Sequence, residues 1–167
     1  MEILKTKTEP FGLSDRIALA IASAGGVGFV PKAPGTAGSV AGVLVYLAIE
    51  MMHAGAYYPH AIIFFFIVGI WASSRVEHRY GHDSQRIVID EVVGQMITFA
   101  VAAGRHQLSA FDIALGFGLF RLFDIVKPFP IRKLERLKSG FGVIADDVGA
   151  GVYALAVLTL VRYLWAA

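Results

Sequence analysis

The chain has 167 residues, of which 56% are hydrophobic and 17% are charged, and its formal net charge at pH 7 is only +2. Its mean hydropathy of +0.64 is too high for an ordinary soluble domain of this length, so we expect one membrane-embedded domain over 1–167. The absence of cysteine excludes disulfides, thiolate metal ligands and cysteine-phosphatase chemistry. The basic residues form no continuous stripe, and no nucleic acid partner is expected.

Residues 1–24 are interpreted as an N-terminal tail followed by an amphipathic segment. They lack the basic start, apolar middle and small-residue cleavage site of a secretory signal. We expect this segment to be retained.

Five apolar runs follow in chain order, at 39–53, 59–74, 92–104, 110–126 and 148–166. Their length and lack of alternation predict five helices in an all-α, compact multi-helix bundle. The second and fifth runs approach the roughly 20 residues that a bilayer span needs, whereas the third is short unless 87–91 is added to it. Short connecting loops favour antiparallel neighbours. We therefore expect a polytopic protein with about five spans.

The positions of Lys and Arg indicate the orientation of these spans. With a cytoplasmic N-terminus, five spans place 1–38, 75–91 and 127–147 inside. These inside segments contain Lys5, Lys7, Arg16, Lys32, Arg75, Arg79, Arg86, Lys127, Arg132, Lys133, Arg136 and Lys138. Only Arg105 and Arg162 fall outside, as the positive-inside rule requires. The same assignment puts all the acidic clusters described next on one side, so a shared polar site at the cytoplasmic face is expected.

Six acidic residues lie in three clusters beside apolar runs: Asp83 with Asp90 and Glu91, then Asp124, then Asp146 with Asp147. Carboxylates beside apolar surface are costly unless they are neutralised, and a divalent cation can neutralise several at once. Asp83 could instead be a solvated loop residue, and Asp124 could pair with Arg121 or Lys127. The two adjacent pairs repel internally and need a cation or several hydrogen bonds.

The donor set consists of oxygen atoms, which favours Mg²⁺ or Mn²⁺ over zinc. His78 and His82 have a helical i, i+4 spacing that could suit zinc, but Gly81 lies between them and solvated histidines are the commoner outcome. We therefore expect Mg²⁺ as the cofactor.

A Pro/Gly-rich segment at 31–39 precedes the first apolar run. Gly35 and Gly38 would let backbone amides approach a ligand, while Thr36 or Ser39 could cap a helix whose positive end faces a phosphate. The alternative is a plain turn with a helix cap. The segment lacks the Walker spacing and its lysine, so nucleotide binding is not indicated.

Four motifs, in order along about 25–151, resemble those of the phosphatidylglycerophosphatase A family. They are Pro34-Gly35-Thr36-x-Gly38-Ser39, Ile87-Val88-Ile89-Asp90-Glu91-Val92-Val93-Gly94, Phe120-Arg121-x-Phe123-Asp124-x-x-Lys127-Pro128-Phe129-Pro130-Ile131-Arg132 and Gly140-x-Gly142-Val143-Ile144-x-Asp146-Asp147-x-x-Ala150-Gly151. The resemblance implies a Mg²⁺-dependent phosphoric monoester hydrolase of the bacterial inner membrane that converts phosphatidylglycerophosphate to phosphatidylglycerol and inorganic phosphate. The chain departs from the family pattern at Ser139, Ile144 and Glu135, which leaves the acidic positions intact.

The candidate site residues fall into three groups. The expected catalytic residues are Asp90, Glu91, Asp124, Asp146 and Asp147. The expected metal ligands are Asp83, Asp90, Glu91, Asp146 and Asp147. The expected phosphate-binding residues are Lys32, Gly35, Thr36, Gly38, Ser39, Lys127 and Arg132.

Several alternatives remain open from the sequence. The attack on phosphorus could come from a water molecule or from an aspartate that forms an acyl-phosphate. The substrate could be another phosphorylated lipid or a soluble phosphomonoester. A transporter or a non-catalytic membrane protein is a further alternative, although the acids cluster at helix ends rather than along a path through the membrane.

Overall fold

The structure, a computed structural model, describes residues 11–81, 84–102, 107–134 and 140–166. These residues form seven α-helices and no β-strand, which confirms the all-α prediction. The helices are α1 (Leu13–Ala22), α2 (Pro34–Met51), α3 (Tyr58–Tyr80), α4 (Ile89–Thr98), α5 (Ala110–Val126), α6 (Ile131–Leu134) and α7 (Gly140–Ala166). Short 3₁₀ turns lie at Val27–Phe29, Gly55–Tyr57 and Phe99–Ala102.

The boundaries of α5 follow from local sequence chemistry. At its start the Ser109 hydroxyl accepts a hydrogen bond from the Asp112 amide (3.1 Å), and the Asp112 carboxylate accepts one from the Ser109 amide (2.9 Å). This reciprocal capping satisfies two amides that have no partner within the helix. The helix ends at Lys127, which is left-handed (φ 45°) and precedes Pro128, a residue that cannot continue the helix. Lys127 is thereby placed at the end of α5.

The start of α2 differs from the sequence prediction. The helix begins at Pro34, five residues before the apolar run, and its N-cap is Ala33 rather than Thr36 or Ser39. Proline suits the first helical turn because its fixed φ is helical and its missing N–H has no partner there. Ser39 therefore lies inside the helix, where its hydroxyl donates to the Gly35 carbonyl at 2.9 Å. The capping role predicted for Thr36 or Ser39 is wrong.

The short helix α4 lies at the centre of the bundle and packs against α2, α3, α5 and α7. Eight of its ten residues are buried: Ile89, Asp90, Val92, Val93, Gly94, Gln95, Met96 and Thr98. Close approach to α7 depends on small residues, since a Cβ added at Gly151 would lie 2.4 Å from the Gly94 carbonyl oxygen. The first turn of α4, which carries two acidic residues, is consequently held in the interior.

Three helical segments are long and apolar enough to cross a membrane: Pro34–Met51, Gly55–Tyr80 and Gly140–Trp165. Large side chains such as Leu44, Phe64 and Leu160 are exposed on them, as is usual for surfaces that face lipid. Helices α4 and α5 have 10 and 17 residues and do not reach this length. Three spans are supported by length and composition, and the count of about five stays a prediction.

Helix α1 docks against α3 through an ion-pair cluster. Asp15 accepts hydrogen bonds from Arg75 and Arg79, each at 2.9 Å. The hydrogen bond from Arg75 lowers the pKa of Asp15 below its ordinary value of 3.8. The N-terminal helix is thus held to the end of α3 by charge as well as by packing.

Candidate metal and phosphate site

Three carboxylates from two helices meet in the interior of the bundle. Asp90 and Glu91 come from the first turn of α4, and Asp147 comes from α7. One carboxylate oxygen from each lies within 4.8 Å of the other two. The positive end of α4 favours negative charge at its first turn. Residues 56 positions apart in the chain therefore form one acidic cluster, as the topology argument anticipated.

The acidic cluster holds oxygens that the protein leaves without partners. Among the described residues, Glu91 Oε2, Asp146 Oδ1 and Asp147 Oδ2 are buried side-chain atoms with no hydrogen bond. Buried charged oxygens of this kind are strongly unfavourable unless a cation compensates them. The set is made of hard oxygen donors, which Mg²⁺ and Ca²⁺ prefer. The residues present therefore fit a divalent metal ion.

The electrostatics of α4 lead to the same conclusion. Burial raises the pKa of Asp90 well above its ordinary range, and the charge of neighbouring Glu91 raises it further. Burial likewise raises the pKa of Glu91, and the nearby Asp124 carboxylate adds to the effect. Arg121 offsets part of the rise in the pKa of Glu91, but burial still disfavours negative charge on both adjacent carboxylates. A cation bound among them would compensate that charge.

Asp146 lies beside the cluster and pairs with a lysine. Its Oδ2 is 2.7 Å from Nζ of Lys127, the residue that ends α5. Its other oxygen, Oδ1, is among the buried oxygens without a partner. Asp146 thus joins the acidic cluster to a cation from the loop after α5.

Arg121 occupies the other flank of the cluster. Its Nη1 is 2.7 Å from Oδ2 of Asp124, one turn further along α5, which confirms the pairing that their i, i+3 spacing suggested. The same nitrogen donates to the Ser39 hydroxyl at 3.3 Å, so Arg121 also reaches α2. Arg121 was not among the predicted site residues. Its spacing from Asp124 was visible in the sequence, but its contact with α2 required the packed bundle.

The two glycines predicted to approach a phosphate lie against α4. A Cβ at Gly35 would lie 2.3 Å from Glu91 Oε1, and a Cβ at Gly38 would lie 2.9 Å from the Val88 carbonyl oxygen. Both glycines therefore allow α2 to approach the acidic turn of α4 closely. Ser39 is buried nearby, whereas Thr36 is exposed on the first turn of α2.

The remaining predicted residues lie further out or outside the described part of the chain. Lys32 and Arg132 are exposed, and Arg132 donates to the Val126 carbonyl at 3.4 Å. Asp83 falls outside the described residues. The roles assigned to these three side chains stay predictions.

Comparison with known proteins identifies similar sequences over most of the chain. A family model described as phosphatidylglycerophosphatase A matches residues 20–162. A Haemophilus influenzae protein named "Phosphatidylglycerophosphatase A" is 38% identical over 140 residues, which are 83% of this chain and 84% of the relative. An Escherichia coli protein of the same name is 31% identical over 143 residues, covering 84% of this chain and 80% of the relative.

A relative with a different name is equally similar. A Bacteroides thetaiotaomicron protein named "Putative phosphatidylinositol-3-phosphatase" is 38% identical over 143 residues, covering 83% of this chain and 89% of the relative. No solved structure matches this chain.

Proposed function

Because this chain belongs to the phosphatidylglycerophosphatase A family and is accordingly a phosphatase, we propose that it hydrolyses phosphatidylglycerophosphate to phosphatidylglycerol and inorganic phosphate with Mg²⁺. We place it in the bacterial inner membrane as a multi-pass protein whose active site faces the cytoplasm. The observation that carries the proposal is the buried cluster of Asp90, Glu91 and Asp147 beside the Lys127–Asp146 pair. Clustered acids next to a fixed cation suit a site for a metal ion and a phosphate monoester.

The metal would be held by Asp90, Glu91 and Asp147, with the free Asp146 oxygen available nearby. Bound there, Mg²⁺ would offset the charge of the phosphoryl group and act as a Lewis acid toward it. Oxygen donors alone favour Mg²⁺ over zinc. We expect removal of the metal to abolish turnover.

Lys127 and Arg121 are the proposed phosphate-binding cations. Each is held by a carboxylate, Lys127 by Asp146 and Arg121 by Asp124. Because both side chains are already fixed, substrate binding does not have to restrict their conformational freedom. Prepositioned cations aimed at a phosphoryl group stabilise the charge that develops on its oxygens during transfer. Asp124 and Asp146 would act by keeping these cations in place.

A membrane location suits this chemistry physically. Extracting a lipid costs about 0.8 kcal/mol for each CH₂ moved into water, so an enzyme that acts on a headgroup gains by working at the bilayer surface. The three segments that are apolar enough to span a membrane would bring the site to that surface. The basic residues of 1–38, 75–91 and 127–147 support a cytoplasmic orientation.

The proposal is tested by phosphate release from phosphatidylglycerophosphate in mixed micelles. We expect activity that requires Mg²⁺, is abolished by EDTA, and falls by at least about 100-fold in Asp147→Asn, because loss of a charged ligand costs more than loss of an outer-shell partner. Asp112→Asn is the matched control, since Asp112 is also ion-paired (2.9 Å to Arg162) but lies at the opposite end of α5, about 18 Å along the helix from Asp124. Full activity of Asp147→Asn would contradict the proposed site.

Phosphatidylinositol 3-phosphate is the second candidate substrate, favoured by the name of the Bacteroides relative. The same micelle assay should include this lipid and, as a soluble phosphomonoester, glycerol 3-phosphate. We expect kcat/KM to be highest for phosphatidylglycerophosphate. A higher kcat/KM for the inositol lipid would make that lipid the assigned substrate, and the proposed site residues would stay the same.

A further inference from the structure

Gln95 is a buried polar residue that the proposed chemistry leaves unexplained. It lies on α4, one turn after Glu91, and its side chain is fully buried. Within the described part of the chain, neither Oε1 nor Nε2 of Gln95 has a hydrogen-bond partner. A buried amide without partners costs about 1–3 kcal/mol, so apolar residues of the same size would pack this position better. A glutamine at this buried position therefore points to a role other than packing.

Gln95 lies one helical turn from the acidic cluster, on the C-terminal side of Glu91 along α4. Gln95 and Glu91 are four residues apart and share a face of α4. Both face α2: a Cβ at Gly42 would lie 2.8 Å from Gln95 Cβ, and a Cβ at Gly38 would lie 3.2 Å from Glu91 Cβ. Helical side chains lean toward the N-terminus of their helix. This tendency favours a Gln95 amide that extends toward the turn carrying Glu91.

The Glu91 carboxylate also has a buried oxygen that a hydrogen bond would stabilise. Its Oε2 is buried and has no hydrogen-bond partner among the described residues, while Oε1 is the atom that lies against Gly35. Carboxylates that bind metal ions are generally held by a further hydrogen bond, which sets their orientation. A water molecule can join two polar groups that are too far apart for a direct bond.

We propose that Gln95 is a positioning residue whose amide N–H orients the Glu91 carboxylate for the cation through one bridging water. The inference rests on the proposed metal site and adds a residue that touches neither metal nor substrate. Loss of such a partner typically lowers metal affinity by ~10- to 100-fold. A residue with only a packing role would instead affect stability alone.

The test measures Mn²⁺ binding by the purified full-length protein in detergent, using electron paramagnetic resonance of the free ion. Mn²⁺ shares the oxygen preference of Mg²⁺ and is directly visible. In Gln95→Met, which keeps the length but removes both polar atoms, we expect the Kd for Mn²⁺ to rise ~10- to 100-fold. The melting temperature without metal should stay close to that of the wild type, because methionine fills nearly the same buried volume.

Thr98→Val is the matched control. Thr98 is also fully buried on α4, but its hydroxyl already has a partner, the Gly94 carbonyl at 3.1 Å, and Thr98 is seven residues from Glu91 where Gln95 is four. We expect this variant to lower the melting temperature and to bind Mn²⁺ with the Kd of the wild type.

Three results would overturn the positioning role: an unchanged Kd in Gln95→Met, an equal rise of Kd in both variants, or a Gln95→Met protein that is unfolded without metal. Failure of the wild type itself to bind Mn²⁺ would overturn the metal site, and this proposal with it. The two failures are thus distinguishable.

Discussion

The start of α2 lies so close to Glu91 that Gly35 cannot carry a side chain without moving the carboxylate. A Cβ at Gly35 would lie 2.3 Å from Glu91 Oε1 and 3.2 Å from Arg121 Nη1. Comfortable non-bonded contacts are about 3.5 Å, so Gly35→Ala should displace Oε1 by about 1 Å. The end of a glutamate can rotate away, and the fold should therefore tolerate the change. Glu91, the proposed metal ligand, would leave its position, and Arg121, the proposed phosphate-binding cation, would be crowded as well.

A misplacement of about 1 Å in a catalytic site costs roughly 100-fold in rate, which corresponds to about 2.7 kcal/mol of transition-state stabilisation. We expect Gly35→Ala to lose about that factor in kcat/KM, measured by phosphate release from lipid micelles across a Mg²⁺ titration. Its melting temperature, followed by circular dichroism, should change little.

Gly118→Ala is the matched control for this experiment. Gly118 is an exposed helical glycine at which an added Cβ meets no atom of the described residues within 4 Å. This variant should keep full activity and gain up to about 1 kcal/mol in free energy of unfolding from helix propensity. Wild-type activity in Gly35→Ala would refute the argument that Glu91 must stay at its observed position.

The other predictions concern three separate contacts. Lys127→Met should reduce kcat/KM by about 100-fold, whereas Lys127→Arg should restore part of it, measured in the same micelle assay; equal losses in both would contradict a role for the charge. Asp15→Asn should lower the melting temperature at pH 7. The difference from the wild type should shrink as pH falls below 3.8, since the stabilisation from a lowered carboxyl pKa is complete above the unfolded-state pKa and is lost as pH approaches the folded-state pKa; a pH-independent difference would argue against the ion pairs. Ser109→Ala should cost about 1 kcal/mol in free energy of unfolding through loss of the helix cap, with activity per folded molecule unchanged; a loss of activity in that variant would be inconsistent with its position away from the site.

Local patterns in the sequence were sufficient for the features that depend on neighbouring residues. The apolar runs predicted α2, α3, α4, α5 and α7 but not α1 or the short α6. The i, i+3 spacing of Arg121 and Asp124 predicted an ion pair that the structure contains at 2.7 Å. The predicted start of α2 was wrong. The apolar run begins at residue 39, whereas the helix begins at Pro34. Apolar periodicity marks the buried part of a helix, whereas its first turn is set by backbone chemistry.

The partners of individual acids depended on packing between distant segments. Sequence reasoning grouped Asp146 and Asp147 together, but in the bundle Asp147 joins Asp90 and Glu91 while Asp146 pairs with Lys127. Adjacent residues on a helix point about 100° apart, so the two carboxylates meet different neighbours. No alternation or spacing within one segment contains that information.

The helical class and the acid-rich motifs could be predicted from the residues alone, and the basic residues gave the side of the membrane on which those motifs are expected. Helix packing was needed to find which carboxylates share a centre, that Gly35 and Gly38 let α2 approach α4, and that Gln95 faces α2 together with Glu91. The physical reason is that helix formation and charge placement are encoded within a few residues. The geometry of a metal site instead arises where side chains from helices far apart in the chain are packed into one core.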